Sequence, residues 1–194
     1  MTTITPRKSR LLGTGEIDVS FEFFPPKTEK MEVALWAAVN RLEPLRPQFV
    51  SVTYGAGGTT RERTHATVAR LVRETSLHPA AHLTCVGATR DEVDEVVRAY
   101  GAAGIRHIVA LRGDPPAGVG SHYTPHPGGY GTTMELIEGI RRIGAFDISV
   151  GGYPEVHPES PSPEADIAHL KAKVDAGANR IITQFFFDND VYLR

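Results

Sequence analysis

The sequence predicts an α/β fold and, within that class, a (β/α)8 TIM barrel that is incomplete in this chain. Short β-branched and aromatic runs alternate with longer segments of helical spacing, and several of the short runs are almost continuously apolar. Alternating strands and helices indicate a parallel sheet, and continuous apolar runs are typical of strands that are covered on both faces. Polar side chains follow the ends of these runs, where a barrel carries its functional groups.

About six strands and five helices are predicted. The strand segments are 19–24, 49–54, 80–86, 105–112, 148–153 and 180–187. A complete barrel has eight strands in about 250 residues, so a chain of 194 residues is expected to be a C-terminally truncated barrel. We expect an N-terminal tail over residues 1–17 and a partial barrel domain over 18–194.

The predicted helices have start and stop signals of their own. Capping boxes are predicted at 89–92 and 132–135, and Ser162 precedes a first-turn proline. The glycines that end the helical spacing are Gly104, Gly144 and Gly177. A doubly wound open sheet is the competing arrangement, but such sheets usually carry a glycine-rich nucleotide-binding turn after the first strand. Here that turn reads Phe-Pro-Pro-Lys-Thr from position 24, which favours the barrel.

Composition argues against several classes of protein. The 21 Lys and Arg residues nearly balance the 23 Asp and Glu residues, which gives no support for binding to nucleic acid or to an anionic membrane. The single cysteine excludes an intrachain disulfide and a cysteine-rich metal site. The eight histidines lack ligand spacing, so no metal site is expected. Neither a run of 18 apolar residues nor a signal-peptide core is found, so a cytoplasmic protein is expected.

Glu22 is the first candidate functional residue. It lies between aromatic residues, which predicts a desolvated carboxyl group whose raised pKa suits proton transfer near neutral pH. The alternative is an edge carboxylate paired with a nearby arginine. Arg112 and Asp114 flank Gly113 and would offer opposite charges to a ligand that approaches the glycine, or they form an ordinary turn after a strand.

Two later strand ends carry further candidates. Gly151 and Gly152 suggest a close approach of the backbone to a flat ligand, with Tyr153 and His157 beside it, and the alternative is a kinked loop whose rings only pack. The Gln184 amide can donate and accept together, which suits the edge of a heterocycle, although a buried amide bonded to backbone explains it equally well. Thr53 and His82 also end strands, and each alone is more readily structural.

Six motifs, taken in order, resemble one known family. They are FEFFPP from Phe21, SVTYGA from Ser51, HLTC from His82, LRGD from Leu111, YPEVHP from Tyr153 and TQFFF from Thr183. Together they resemble the 5,10-methylenetetrahydrofolate reductases of the bacterial type, from about residue 19 to residue 194. The resemblance implies a (β/α)8 barrel of one-carbon metabolism and methionine biosynthesis that binds FAD. It also implies that NADH or NADPH is the reductant and that a folate, 5,10-methylenetetrahydrofolate, is the substrate.

The resemblance also implies roles for single residues. Glu22 matches the general acid that protonates the folate N10, and Asp114 matches a catalytic carboxylate near flavin and folate that stabilises a cationic iminium of the substrate. Gln184 matches the residue that recognises the pterin or nicotinamide edge, and Thr53 matches a contact on the nicotinamide side. The implied cofactor-binding residues are Thr53, Tyr54, His82, Arg112, Gly113, Asp114, Gly131, Tyr153, His157, Asp166, His169 and Lys173.

Within that set, Arg112 and Lys173 are expected to bind the pyrophosphate and Asp166 the sugar or adenine. His169 stands where the bacterial form has an asparagine. A homo-oligomer is the partner that the family suggests. Two other interpretations stay open: a non-catalytic truncated barrel that at most binds flavin or a partner chain, and a barrel lyase or aldolase. The last is the weakest, because it needs a strand-end lysine or a metal cluster.

Overall fold

The computed structural model describes residues 18–55, 60–115 and 123–193, and six strands of this part form one parallel sheet. The strands are β1 (Ser20–Phe23), β2 (Phe49–Val52), β3 (Pro79–Thr84), β4 (His107–Leu111), β5 (Asp147–Gly152) and β6 (Arg180–Thr183). They lie in the order β1-β2-β3-β4-β5-β6, so each strand pairs with the next along the chain. A doubly wound sheet reverses its strand order at one point, whereas this order continues in one direction. The predicted incomplete barrel is therefore confirmed.

Helices follow the strands in regular alternation. They are α1 (Glu29–Leu42), α2 (Arg61–Glu74), α3 (Arg90–Ala102), α4 (Thr133–Ile143), α5 (Pro163–Asp175) and α6 (Asn189–Leu193), with a 3-10 turn at Glu43–Leu45. The first five helices connect successive strands as predicted, and α6 adds one short helix to them.

The strands are mostly shorter than the predicted segments, and the largest error concerns β6. The prediction continued to residue 187, but β6 ends at Thr183, which pairs with Gly152 at the end of β5. The Gln184 backbone amide still donates to the Gly152 carbonyl (2.7 Å). Gly152 is the last residue of β5, so residues beyond Gln184 have no strand of the described chain to pair with on that side. Phe187 is 92% exposed. The apolar run predicted a strand beyond the point where a partner strand exists.

Helix capping differs between α3 and α4. Helix α4 has a simple N-cap, in which the Glu135 backbone amide donates to the Thr132 hydroxyl (3.2 Å). Thr89 forms the full predicted box before α3: its hydroxyl accepts from the Glu92 amide (3.2 Å), and its own amide donates to the Glu92 carboxylate (2.8 Å). The predicted reciprocal bond at 132–135 is wrong, because the Glu135 carboxylate contacts Arg90 instead.

Thr89→Ala is expected to lower the free energy of unfolding by about 1 kcal/mol, because the α3 amides lose their capping oxygen. Chemical denaturation measures this change. Thr132→Ala is the matched control, since it removes a single cap without a reciprocal bond. An effect of Thr132→Ala larger than that of Thr89→Ala would contradict the importance of the box.

Apolar side chains cover both faces of the sheet. The larger cluster fills the space between the sheet and the helices and includes Val50, Leu83, Tyr100 and Ile148. A smaller cluster lies on the other face and consists of Phe49, Ala80 and Val109, with Leu111 and Ile182 packed against it. Burial on both faces explains the nearly continuous apolar runs of the strands.

Polar groups lie near the amino ends of β4, β5 and β6. His107 Nε2 is 2.7 Å from the Ser149 hydroxyl, and Arg180 lies 3.3 Å both from His107 Nε2 and from the Asp147 carboxylate. Burial lowers the pKa of His107 to about 4, so its imidazole is neutral at pH 7. This network lies at the end of the strands opposite to the predicted site.

Candidate functional site

The predicted site residues lie at or just beyond the carboxyl ends of the strands, or on α5 beside them. Glu22 is the third residue of β1, and His82 is the fourth of β3. The residues that follow β2, β4, β5 and β6 directly are Thr53, Tyr54, Arg112, Gly113, Asp114, Tyr153 and Gln184. Helix α5 carries Asp166, His169 and Lys173. Parallel strands bring their carboxyl ends to one edge of a sheet, so the barrel topology gathers residues that are far apart in sequence.

Glu22 has two polar neighbours on the adjacent strands. The Ser51 hydroxyl donates to Glu22 Oε2 (3.0 Å). His82 Nε2 lies 3.2 Å from the same oxygen, out of line for a well-directed hydrogen bond, and is buried without another partner in the described chain. Ser51 pairs directly with Glu22 in the β1–β2 register. The three side chains therefore share one face of three consecutive strands.

The predicted environment of Glu22 is wrong. Its side chain is half exposed, and its pKa is lowered rather than raised. The largest cause is the His82 imidazole close to the carboxylate, whose effect outweighs partial burial, and the Ser51 hydroxyl adds to it. Consecutive residues of a strand point to opposite faces, so Phe21 and Phe23 pack against the helix-side core and cannot desolvate Glu22.

Arg112 is held by two neighbours that the sequence did not identify. Its guanidinium donates to both carboxylate oxygens of Glu159 (2.8 and 3.0 Å) and lies 4.3 Å from the ring centre of Tyr123. The paired carboxylate raises the pKa of Arg112. Glu159 lies 47 positions later in the chain, and no spacing rule connects such distant residues, so this contact could not be predicted.

Two of the glycines have structural reasons of their own. Gly113 has a φ of +90°, and a Cβ there would overlap Val86 and lie 3.0 Å from Thr84 Cβ. A Cβ on Gly152 would lie 3.0 Å from Ile181 Cγ2. Both glycines thus permit packing within the protein, while Gly151 faces the less crowded side, where its Cβ would lie 3.7 Å from Leu111.

The segment after β5 fixes His157. The His157 amide donates to Asp166 (3.2 Å), and its ring nitrogen Nδ1 accepts from the Glu159 amide (3.1 Å). Neutral His157 therefore carries its proton on Nε2, which makes that atom a donor. The ring packs edge-on against Tyr153 at a centroid distance of 4.7 Å. Val156, just before His157, has a φ of +88°, a strained conformation for a β-branched residue.

Lys173 reaches the strand end from α5. Its ammonium donates to the Gly151 carbonyl (3.0 Å), and burial lowers its pKa while Asp166 opposes that change. Burial also lowers the pKa of His169, and the charge of Lys173 adds to this effect. Arg112, Lys173, His157 and His169 therefore form a basic cluster around Asp166.

The remaining predicted residues make fewer contacts in the described part of the chain. The Thr53 carbonyl accepts a hydrogen bond from the Thr64 hydroxyl (2.9 Å). The exposed Asp114 carboxylate acts on Arg112 through its charge, and the Gln184 side chain is exposed. Gly131 donates its amide to Glu135 (3.4 Å) before α4. Ser51 is a neighbour of Glu22 that the sequence prediction did not include. A single polar residue in the buried run Phe-Val-Ser-Val was a signal that could have indicated it.

Metal-binding clusters and membrane-spanning helices are both absent from the described residues. Residues 18–55, 60–115 and 123–193 contain no group of three or more His, Cys, Asp or Glu side chains that could hold a metal ion. Over the same ranges, helices long and apolar enough to cross a membrane are absent.

Solved structures with similar folds support the barrel architecture. A 2,3-dimethylmalate lyase of the PEP mutase/isocitrate lyase superfamily aligns with a TM-score of 0.62 at 13% identity, over 89% of this chain and 60% of that one. A dihydrodipicolinate synthase from Agrobacterium tumefaciens aligns with a TM-score of 0.56 at 16% identity, over 88% and 55% of the two chains. At these identities the likeness concerns the fold alone.

Sequence relatives are much closer. The chain is 54% identical to the 5,10-methylenetetrahydrofolate reductase of Salmonella typhimurium and 53% identical to that of Escherichia coli, each over 93% of this chain and 58% of the relative. It is 38% identical to methylenetetrahydrofolate reductase (NADH) 1 of Arabidopsis thaliana, over 93% of this chain and 32% of the relative. The chain thus spans somewhat more than half the length of its bacterial relatives. Residues 7–194 match the profile of methylenetetrahydrofolate reductase, so the chain belongs to the methylenetetrahydrofolate reductase family.

Proposed function

We propose that this chain serves in the FAD-dependent reduction of 5,10-methylenetetrahydrofolate to 5-methyltetrahydrofolate, with NADH or NADPH as reductant. The observation that carries the proposal is the arrangement of one sheet edge, where a carboxyl group fixed by two neighbours and a basic cluster occur together. The family's name for its bacterial members supports the substrate. The same resemblance favours a cytoplasmic protein and makes a homo-oligomer the partner to test.

The basic cluster fits a dinucleotide. A partly buried lysine, Lys173, that binds one carbonyl retains donor capacity for an anion, and the His157 Nε2–H is a second donor. Arg112 already binds Glu159, so it would neutralise a diphosphate only by sharing or exchanging that carboxylate. Gly151 leaves its side of β5 uncrowded for a flat ring. The residues present therefore suit FAD, whose flavin transfers a hydride when bound.

The chain's own groups would act on the folate. Glu22 is proposed to deliver a proton to N10, and Asp114 to hold negative charge near the cation that develops on the substrate. Gln184 has an exposed amide that could donate to and accept from a pterin edge. Thr53 is proposed to contact the nicotinamide from the end of β2. Tyr54 and Gly131 remain proposed flavin contacts.

A visible absorption spectrum tests the proposal. The purified protein is expected to show bound oxidised flavin, to bleach when NADH is added, and to regain its colour when 5,10-methylenetetrahydrofolate follows. Bleaching without recovery would favour the second interpretation, in which the chain binds flavin but does not reduce folate. The exposed aromatic side chains of Phe185, Phe187 and Tyr192 beyond β6 are the observation that favours this alternative, because they provide a surface for a partner chain.

Lys173→Met is expected to weaken flavin binding by about 10- to 100-fold, because a charged donor to the diphosphate is lost. Fluorescence titration of the apoprotein with FAD measures the affinity. Lys171→Met is the matched control: this lysine lies on the same helix, is mostly exposed and pairs with Asp175. Equal loss of affinity in both variants would indicate a general charge effect and would remove Lys173 from the proposed site.

A further inference from the structure

In the described part of the chain, Glu22 has two polar neighbours at one carboxylate oxygen and none at the other. Within the described residues the Ser51 hydroxyl and His82 Nε2 both approach Oε2, at 3.0 and 3.2 Å. No described contact involves Oε1 of the same carboxyl group. A carboxylic acid places its proton on the oxygen that does not accept strong hydrogen bonds, because an O–H group facing a donor is repelled. The proton of a protonated Glu22 therefore belongs on Oε1.

His82 Nε2 is fully buried, and within the described residues Glu22 Oε2 is the polar atom that lies near it. Tyr100 already uses the His82 carbonyl, to which its hydroxyl donates (3.3 Å), so the backbone of this residue is anchored from the helix layer. The imidazole is thus held at a fixed place beside the carboxyl group.

We propose that Ser51 and His82 are positioning residues for Glu22, which hold Oε2 through the Ser51 hydrogen bond and the close approach of the His82 imidazole, and so present an acidic proton on Oε1 to the substrate. The inference rests on the proposed role of Glu22 as proton donor and adds the two residues that direct it. Both neighbours, His82 more than Ser51, stabilise the ionised carboxylate and lower the pKa of Glu22, which makes it a stronger acid. A stronger acid suits a weakly basic nitrogen such as an arylamine.

The arrangement determines how activity depends on pH. The groups that face Glu22 are Ser51 on β2 and His82 on β3, and the next titratable side chain behind His82 is His107 on β4. Since the active form of Glu22 is protonated and its pKa lies below the ordinary value, the rate of folate reduction should rise as pH falls through the neutral range. Removing His82 raises the pKa of Glu22, so this rise should move to higher pH.

The direct test is a carboxyl titration by NMR in protein labelled with carbon-13 glutamate. His82→Leu is expected to raise the pKa of Glu22 most, and Ser51→Ala to raise it less, whereas Ser149→Ala should leave it unchanged. Ser149 is the control because it is also a buried strand serine but contacts His107. Ser51→Ala keeps the test informative if His82→Leu does not fold. An unchanged pKa of Glu22 in the folded variants, or an equal change in Ser149→Ala, overturns the inference.

Kinetics provide a second measurement. Ser51→Ala should lower kcat for folate reduction about tenfold while KM for the folate changes little, because one hydrogen bond to a charged group is lost. A changed KM with an unchanged kcat contradicts the positioning role. The titration needs neither cofactor nor substrate, so protein that shows the expected pKa changes but reduces no folate would refute the proposed function and leave the positioning of Glu22 standing.

Discussion

Glu22→Gln is expected to lower the rate of folate reduction by about 10²–10⁴-fold, while NADH still reduces the bound flavin. The amide keeps the size of the side chain but cannot deliver a proton. Rapid mixing separates the two half-reactions: flavin bleaching by NADH in the first, and recovery of the flavin colour by 5,10-methylenetetrahydrofolate in the second. Only the second should slow in the variant.

Glu155→Gln is the matched control for the charge at this edge. Glu155 lies in the segment after β5 and has no assigned role, so its variant should reduce folate at the normal rate. A comparable loss in both half-reactions of Glu22→Gln would show that Glu22 supports the fold of the site rather than proton transfer. Thermal unfolding of the variant distinguishes that case from loss of the whole fold.

Gly139→Ala is expected to lower the free energy of unfolding by about 3 kcal/mol or more. Gly139 lies inside α4, where a Cβ would overlap the Tyr130 hydroxyl and lie 2.5 Å from its Cζ. Tyr130 is fully buried, and its hydroxyl donates to Asp94 (2.7 Å), so the ring cannot move without losing that bond. Alanine normally stabilises a helix interior relative to glycine, which makes a loss of stability here diagnostic. Urea unfolding measures it.

Gly101→Ala is the control, because Gly101 is also helical but a Cβ there would lie 3.3 Å from Phe146 Cζ. It should change stability by no more than about 1 kcal/mol. The double variant Gly139→Ala with Tyr130→Leu should lose less free energy of unfolding than the two single variants lose in sum, since the smaller side chain removes the overlap. Additive effects in this pair would contradict the steric explanation.

The sequence was sufficient to predict the alternation of elements, the barrel and the strand ends that carry the site. These features follow from local periodicity and from topology, as the correct positions of α3 and its Thr89 cap illustrate. It was insufficient for the environment of single side chains. The predicted rise in the pKa of Glu22 was wrong because residues adjacent in a strand face opposite sides of the sheet. The neighbour with the largest effect on this pKa, His82, lies 60 positions away in the sequence.

Gly113 shows a second limit of the sequence. The sequence correctly identified a position that needs glycine and suggested ligand approach, and the structure adds a reason within the protein, because Val86 and Thr84 pack against it. Which neighbour occupies the space beside a glycine is decided by tertiary packing and has no local signature. The contact of Arg112 with Glu159 was unpredictable for the same reason.

The consecutive order of the strands bears on how the chain folds during synthesis. Successive strands begin about 30–40 residues apart, and every strand after β1 pairs with one already made. A ribosome adds about 5–20 residues per second, so each new unit takes seconds, whereas a helix forms within about a microsecond. Each completed strand can therefore serve as the template for the next one to emerge, and each of the described strands β2 to β6 finds a partner that is already made. The sheet can grow from its N-terminal edge at the pace of translation.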